Sequence, residues 1–518
     1  MAYGGGTWLS QNKILPGSYI NFTSRARASA TLSDRGVAAA PFALSWGPVG
    51  TVRMIEQGEF LKNSFELFGY DYGDDAMLAL REIFRHATKV YCFRLAADGA
   101  TAAKVAYAAA RYPGTRGNDI RILIDNDPDV TGGYVVTTMV GARTVDTQKV
   151  TAFGALSDND FVTWTRYVSA PEAVDGSFEP TADTAIDPEK TYYTRAGEEG
   201  SYTYTPVETP DVQNIESYFE QVYEIVTRYF RFSAETEEAG RQYTVVSTTA
   251  GTSLTGGTDG DVPSGAHQAF LEAIEPYSFN TLCCPVSEED QTTISLYVTT
   301  TKNMRDKIGA KFQTVCCKPE NADYEGVIGV WNDASHSRIE TDKGLLAYWV
   351  TGAECAANIN ESLTNTQYDG ELTINVDFKQ SQLEQHIEQG HLVAHNNNGD
   401  TVILTDINSL VTLKENFGSI FQKNQTVRVC DQIGNDIARL FSRRYLGIVQ
   451  NDATGRAALW NDIVVYFREL ERLRAITEFE DDQVTVELGS DKDAVLVTLN
   501  GVNVVNAMEK LYMAVVIQ

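Results

Sequence analysis

The sequence predicts a multidomain α/β protein built around a parallel-type central sheet, and three observations carry that reading. At 518 residues the chain is too long for one hydrophobic core, so about three or four domains are expected. From 246 to 358, helical and strand-like runs alternate, as they do where helices cover a parallel sheet. Before that stretch the pattern is largely β, and after it long helices alternate with hairpins. A β-sandwich domain and an α+β C-terminal domain are therefore expected on either side.

Residues 1–30 read as an N-terminal arm. Gly4-Gly5-Gly6 gives a loose start, and Ser18–Thr23 alternates as a short strand, with Tyr19 on one face and Ile20 and Phe22 on the other. Residues 31–110 form an N-terminal α/β region. In it Gly36–Leu44 is a buried strand broken at Pro41, and Asp74–His86 is a helix with Met77, Leu80, Ile83 and Phe84 on one side. Lys89–Leu95 returns as a strand, and alanine-rich Ala102–Ala110 suggests a short helix. Residues 111–245 form the β-sandwich domain, with strands at Asp119–Asp125, Tyr134–Val140 and Lys149–Phe153. It carries an insertion from about 165 to 245, where 171–210 hold nine acidic and two basic residues. Such composition suits a solvated addition with its own small fold. Within it Lys190–Arg195 and Ser201–Val207 suggest a hairpin, and Ile215, Phe219, Val222, Val226 and Phe230 suggest a helix.

The glycine cluster Gly251–Gly260 lacks the Lys-Ser or Lys-Thr that a phosphate-binding loop requires, so it is read as turn chemistry. After it, helices are expected at His267–Ile274, Glu289–Ile308 and within Thr341–Asn358, with strands at Phe279–Pro285, Phe312–Lys318 and Val327–Trp331. Residues 359–502 make the C-terminal domain. Ser381–Glu388 is a helix stopped by Gly390, and His391–His395 pairs with Thr401–Ile407 around an Asn-Gly turn. Gln425–Tyr445 and Ala457–Ile476 are amphipathic helices, and Gln483–Leu488 pairs with Ala494–Leu499. Residues 503–518 end in Leu511–Gln518, an apolar strand without charge, proline or glycine. An edge of that kind either returns into its own fold or is donated to another chain.

Bulk properties exclude several classes. A net charge of −28 argues against nucleic-acid binding. No apolar run approaches the ~18 residues of a membrane span, and Met1–Lys13 lacks the basic start and apolar run of a secretory leader. The seven cysteines are odd in number, and Cys283-Cys284 and Cys316-Cys317 alternate across strands, so buried reduced thiols are expected. That points to synthesis in a reducing cytoplasm.

The ordered series of motifs along nearly the whole chain resembles contractile tail sheath proteins of bacteriophages and phage-derived bacteriocins, in the branch common to Gram-positive hosts. The segments are Gly6-Thr-Trp8 with Gln11-Asn-Lys13 and Pro16–Phe22, Arg111-Tyr-Pro-Gly114 with Arg116-Gly-Asn118, and Ser253–Gly260. They continue with Asn360–Asn365, Asp406–Leu410, Arg428–Ile437 and Asn506–Tyr512. The departure is residues 165–245, where many relatives run almost directly from Asp158-Asn-Asp-Phe161 to the Gly-Gly-Thr-Asp-Gly loop. The resemblance implies a subunit of six-membered rings stacked helically around an inner tail tube protein, meeting baseplate and tail terminator proteins. It also implies a central domain of subtilisin-like fold without a catalytic triad, no cofactor, and location in a virion tail or phage-tail-like particle. Its arms would exchange strands with neighbours, and contraction would drive the tube through a cell envelope.

On that basis the N-arm residues Tyr19, Ile20 and Phe22 and the C-arm residues Tyr512, Met513, Val515 and Val516 are expected to join subunits. The acceptor is expected at Leu392, Val393, Val402, Ile403 and Leu404, with the Gln483–Leu499 hairpin as the alternative. Residues 421–476 hold nine basic against six acidic groups in an otherwise acidic chain, so Lys423, Arg439 and Arg443 are expected to face an acidic tube. The competing class is a hydrolase using the central domain. Its candidates are His267, His336, Ser253 and Ser335, but no nucleophile elbow such as Gly-x-Ser-x-Gly surrounds either serine, so no catalytic residues are assigned. His386, His391 and His395 cluster in sequence but straddle a helix stop, so no metal site is assigned.

Overall fold

The computed structural model describes residues 32–95, 99–174, 185–186, 192–196, 203–220, 222–260, 262, 264–338, 344–415 and 417–517. In chain order the first elements are β1 (Val37–Ala43), β2 (Val52–Glu56), α1 (Gln57–Phe68), α2 (Leu78–Phe84) and β3 (Lys89–Leu95). The β-rich part follows with β4 (Ile120–Asn126), β5 (Tyr134–Val140), β6 (Arg143–Val150), β7 (Tyr167–Val174), β8 (Val222–Phe232), β9 (Gln242–Val246) and β10 (Thr249–Ser253). Then come α3 (Ser264–Ile274), β11 (Thr281–Cys284), α4 (Gln291–Asn303), β12 (Gln313–Cys317), β13 (Val327–Val330) and α5 (Leu346–Ala356). The last group is α6 (Gln380–Glu388), β14 (His391–Leu392), β15 (Ala394–Asn397), β16 (Asp400–Ile403), α7 (Asn424–Arg444), α8 (Ala453–Arg472), β17 (Val484–Leu488) and β18 (Val495–Leu499).

One seven-stranded sheet in the order β2-β3-β1-β11-β12-β13-β14 is the centre of the molecule. All its pairings are parallel except β2 with β3. The sheet joins strands from 31–110 with strands from 246–358, segments that the sequence pattern treats separately. Strand β1 lies between them, bonded to β3 on one side and to β11 on the other. Its alternation explains the position: Ala38, Ala40 and Phe42 face one core, with Phe60, Leu80, Ile83 and Trp349 from the helices, while Ala39 faces the other, with Phe270, Ile294 and Tyr297. Small side chains let helices pack closely on both faces. Pro41 does not break the strand, because the ladder to β11 ends at Ala39↔Leu282 and no bond is required of the missing N–H beyond it. Cys283 faces the first core and Cys284 and Cys316 the second, all fully buried and free, as the alternation requires.

The β-rich part has an antiparallel sheet β10-β4-β5-β6 around Ile120, Ile122, Ile124, Tyr134 and Val136. Two expected helices are strands here. Ala102–Ala110 becomes Lys104–Val105 and Ala108–Ala110, packed so tightly that a Cβ on Gly117 would lie 3.0 Å from those of Ala103 and Ala110. The alanines serve close packing rather than helix propensity. Val222–Phe232 is the long strand β8: it is dense in β-branched and aromatic residues, and Phe230 and Phe232 enter the core. The apparent helical spacing was a coincidence of two overlapping periods.

The C-terminal part pairs α7 and α8 over Val429, Leu440, Ile463, Val464, Tyr466, Phe467 and Leu470, with the β17–β18 hairpin against α8. The β15–β16 hairpin turns at Asn398 and Gly399, whose φ values of 55° and 106° are the left-handed pair that an Asn-Gly turn supplies.

Candidate functional site: the helix where both chain ends are fastened

Helix α7 is buried on two sides of opposite character. Its Val429, Ile433, Ile437, Leu440 and Phe441 stripe meets α8, as the sequence predicts. A second, polar stripe, Asn424, Arg428, Asp431, Gln432 and Asp436, is also buried, with Arg428 against α5, Asp431 against Arg305 and Asp436 against Ser33 and Tyr466 of α8. Periodicity alone predicts only the apolar face of this helix. A signal was available: the stripe repeats at helical spacing and contains no Lys or Glu, the residues that solvated faces favour.

Burying ionised groups requires partners, and each has them. The Arg428 guanidinium donates to Glu354 on α5, to Asp406 at 3.4 Å and to the Glu361 carbonyl. Asn424 donates to Asp406 at 2.8 Å and Glu354 at 3.2 Å. Burial, then the Asp406 carboxylate, pushes the Glu354 pKa up to about 8. Burial opposes ionisation of Asp406 too, but Arg428, Glu354 and the Leu363 N–H outweigh it and hold that pKa down. The pair thus keeps one proton at neutral pH. Arg35 closes the cluster, donating to the Ala357 and Glu354 carbonyls at 2.7 and 3.1 Å. One turn farther along, Arg305 forks onto Asp431 at 2.6 and 2.9 Å.

Both described chain ends are tied to this helix. At the N-terminal side, Ser33 donates to Asp436 at 2.6 Å and accepts from Gln432 at 2.7 Å. At the C-terminal side, the Gln425 amide donates to the Val505 carbonyl and accepts from the Ala507 N–H, at 3.1 and 3.0 Å. Thr426 bonds Asn506 at 3.1 Å, and Lys423 forms an ion pair with Glu509 at 2.5 Å. Beyond that anchor, residues 511–517 pair with no strand among the described residues: Leu511, Tyr512, Met513, Val515, Val516 and Ile517 are 70–91% exposed. The terminal strand expected from the sequence is therefore not formed within the described chain. Tyr19, Ile20 and Phe22 lie outside the described residues.

The other predicted residues separate. Leu392 is in the edge strand of the main sheet, paired with Val330, and Val393, Val402 and Ile403 are buried while Leu404 is half-buried. The outer edge of β16 is already bonded to 365–368, through Asn365 to Ile403 at 2.8 Å and Tyr368 to Thr401 at 2.8 Å. Among the described residues, the β17–β18 hairpin pairs with no further strand, and its Leu488, Leu496 and Val497 are exposed. Lys423 serves the arm anchor. Arg439 is half-exposed, 4.0 Å from Asp436, beside a groove of about 550 Å³ that also involves Ser33 and Lys311. Arg443 is exposed one turn farther on.

The hydrolase candidates do not converge. His267 Nδ1 bonds the Tyr297 hydroxyl at 2.8 Å, Ser253 belongs to β10 in a different sheet, and Ser335 and His336 sit after β13. Among the described residues no hydrogen bond joins these serines to a histidine. His386 and His391 face each other at 3.0 Å, with His391 stacked on Trp331 at 3.5 Å, while His395 lies across from Val402 on β15. Burial, then His386, pushes the His391 pKa down to about 4. No group of three metal-ligating side chains occurs among the described residues.

A helix-covered sheet whose residues 505–509 are fastened to α7, with an apolar end unpaired among the described residues, suits a subunit that joins other chains. Three family models match it: the phage tail sheath protein central domain over 260–409, the phage tail sheath C-terminal domain over 418–518, and domain III N-terminal region of tail sheath protein Gp18 over 35–95. The chain is similar to phage-like element PBSX protein XkdK of Bacillus subtilis, at 29% identity over 98% of both chains. Its structure is similar to the sheath tail protein of Desulfitobacterium hafniense, with a TM-score of 0.71, 27% identity and 96% and 99% of the two chains covered. The sheath tail protein of Listeria innocua shares the fold, with a TM-score of 0.68 at 24% identity over 93% and 95%. The chain belongs to the phage tail sheath family and is a structural subunit of a tail sheath.

Proposed function

We propose that this subunit polymerises around an inner tail tube, in six-membered rings stacked helically, by donating its C-terminal strand to a neighbouring copy. The single observation that carries this is the contrast between anchored 505–509 and unpaired 511–517. An apolar strand held at one end and exposed along its length is an edge that adds readily to a sheet. The β17–β18 hairpin suits the acceptor role better than β15–β16, whose outer edge is covered by 365–368. Tyr512, Val515 and Val516 would supply cross-strand contacts, and the N-arm with Tyr19, Ile20 and Phe22 would reach another neighbour. Because strand addition relies on main-chain bonds, the joint tolerates rigid-body rotation of subunits during contraction. The central helix-covered sheet is read as subtilisin-like in fold without a triad. Arg443 faces the tube in this reading, and baseplate and terminator proteins bound the two ends of a virion tail or phage-tail-like particle.

Deletion of residues 511–518 tests the reading. The shortened protein should remain folded and soluble, and negative-stain images should lack the striated tubes formed by the full chain. Tubes of normal length from the deleted protein would sink the proposal.

A further inference from the structure

Helix α6 is held to the rest of the subunit by few side chains. Of its nine residues none is fully buried, and only Leu383 and His386 are half-buried. The chain is fixed on both sides of it. Ahead of α6, the Asn375 N–H donates to the Asp333 carbonyl at 2.8 Å, and the Asn375 carbonyl accepts from the Asn332 amide at 2.9 Å. Behind it, buried Gly390 turns with a φ of 71°, so close to the Asn408 carbonyl that a Cβ would lie 2.8 Å from its oxygen. Residues 376–389 thus hang between fixed ends, with a left-handed glycine as the pivot at one of them. Among the described residues, α6 makes one side-chain hydrogen bond to the rest of the fold. It joins His386 Nδ1 to Nδ1 of His391, which opens β14 at the edge of the main sheet, at 3.0 Å. The other side-chain bonds, Gln380 to Glu384 and the Lys379 N–H to Gln382, stay within the helix and its cap.

A bond between two imidazole nitrogens has a strict proton requirement: one facing nitrogen carries a hydrogen and the other is bare. One added proton is accommodated, because an imidazolium still donates to a bare nitrogen. A second leaves two donors and two positive charges face to face. The surroundings cannot solvate them, since His391 stacks on the Trp331 ring with centroids 3.5 Å apart and the Phe378 ring stands 5.2 Å from His386.

We propose that this histidine pair is an acid-sensitive latch, which on mild acidification releases α6 from the end of the central sheet. Burial pushes the His386 pKa down, and burial, then His386, pushes that of His391 down to about 4. In the released segment a histidine titrates near ~6.5. Between those values released α6 binds more protons than docked α6, so docking weakens as pH falls through ~6.5 and weakens no further below about 4. The charged groups around the pair are Asp377 and Lys379 ahead of α6, Glu384 and Glu388 on it, Glu320 and Asp323 after β12, and Asp333, which pairs with Lys318. Carboxylates as a class titrate near ~4 and lysines near ~10, outside the span from pH 7.5 to 5. Release bares the half-buried Phe378 and Trp331 rings, and any contact that another chain makes with α6 becomes pH-dependent. The inference is independent of arm exchange.

Hydrogen–deuterium exchange of the full chain, read by mass spectrometry and corrected for the intrinsic rate at each pH, tests it. Between pH 7.5 and 5 the opening constant of residues 379–389 should rise roughly ten- to thirty-fold, while that of α5 changes by less than about threefold. His391→Phe keeps a ring on Trp331 without a titrating nitrogen. His386→Asn presents its amide to a bare His391 nitrogen and its carbonyl to a protonated one. In both variants α6 exchange should change by less than about threefold over the same interval, and α5 protection at pH 7.5 shows that each is folded. The proposal is overturned by a rise of less than about threefold in the parent, by a rise in α5 as large as that in α6, or by either variant retaining the parent's rise.

Discussion

Replacing Glu354 by glutamine isolates the proton that the α5–α7 joint keeps. Glu354 is fully buried, and burial followed by Asp406 lifts its pKa to about 8. In an unfolded chain a glutamate titrates near ~4.3. Between those values the folded protein holds a proton that the unfolded chain has released, so stability falls as pH rises, and the fall ends above about pH 8. At about 1.4 kcal/mol per pH unit, keeping the proton costs roughly 3–4 kcal/mol at pH 7. Glutamine has nearly the same shape, accepts from Arg428 and has no proton to lose; its NH2 replaces the oxygen that accepts from Asn424, and the loss of that bond is an offset that does not vary with pH. Asp406, held low chiefly by Arg428 against burial, acts in the opposite sense, contributing stability that is lost on acidification. It is present in both proteins, so it drops out of their difference. Urea unfolding followed by tryptophan fluorescence from pH 5 to 8 should show a difference between the two proteins that shifts in the variant's favour as pH rises. Relative to the parent the variant should gain up to ~3 kcal/mol between pH 5 and pH 7. A difference that stays constant across this range would mean that Glu354 is ionised in the folded protein, and the one-proton joint would be wrong.

Two further outcomes follow from local geometry. Gly352 sits in α5 where α2 approaches, and a Cβ there would lie 2.3 Å from the Ile83 carbonyl oxygen. Gly352→Ala should therefore destabilise by about 1–3 kcal/mol despite alanine's ~1 kcal/mol helix advantage, read as a lower midpoint in the same urea titration. Arg443→Glu should impair assembly of sheath on tube, more at low salt than at high, while leaving subunit stability unchanged; normally sheathed tails from this variant would refute the tube-facing assignment. Arg439→Glu should instead weaken the subunit itself, because the new carboxylate would face buried Asp436.

Much of the fold was legible because it depends on periodicity. The apolar stripes of α7 and α8, the Asn-Gly turn between β15 and β16 and the alternating cysteines of β11 and β12 each follow from spacing that a sequence displays. The errors fell where period or propensity was ambiguous. Val222–Phe232 satisfied a helical template over a few positions, yet its density of β-branched and aromatic side chains suits a sheet. Ala102–Ala110 has high helix propensity, which close packing around Gly117 overrode.

The amino-acid sequence by itself determined the alternating helix and strand elements, the acidic balance and the unblunted apolar terminus, because these are local patterns or sums over residues. Only the tertiary structure decided that β1 would unite two distant segments in one sheet, and that the polar stripe of α7 would be buried with Glu354 and Asp406. It also decided that Gln425, Thr426 and Lys423 would fasten 505–509 and leave 511–517 unpaired. Those outcomes depend on which groups meet across tens or hundreds of residues. A carboxylate, an amide or an apolar strand has the same local signature whether it faces water or a partner, and the difference arises only when the chain closes around it.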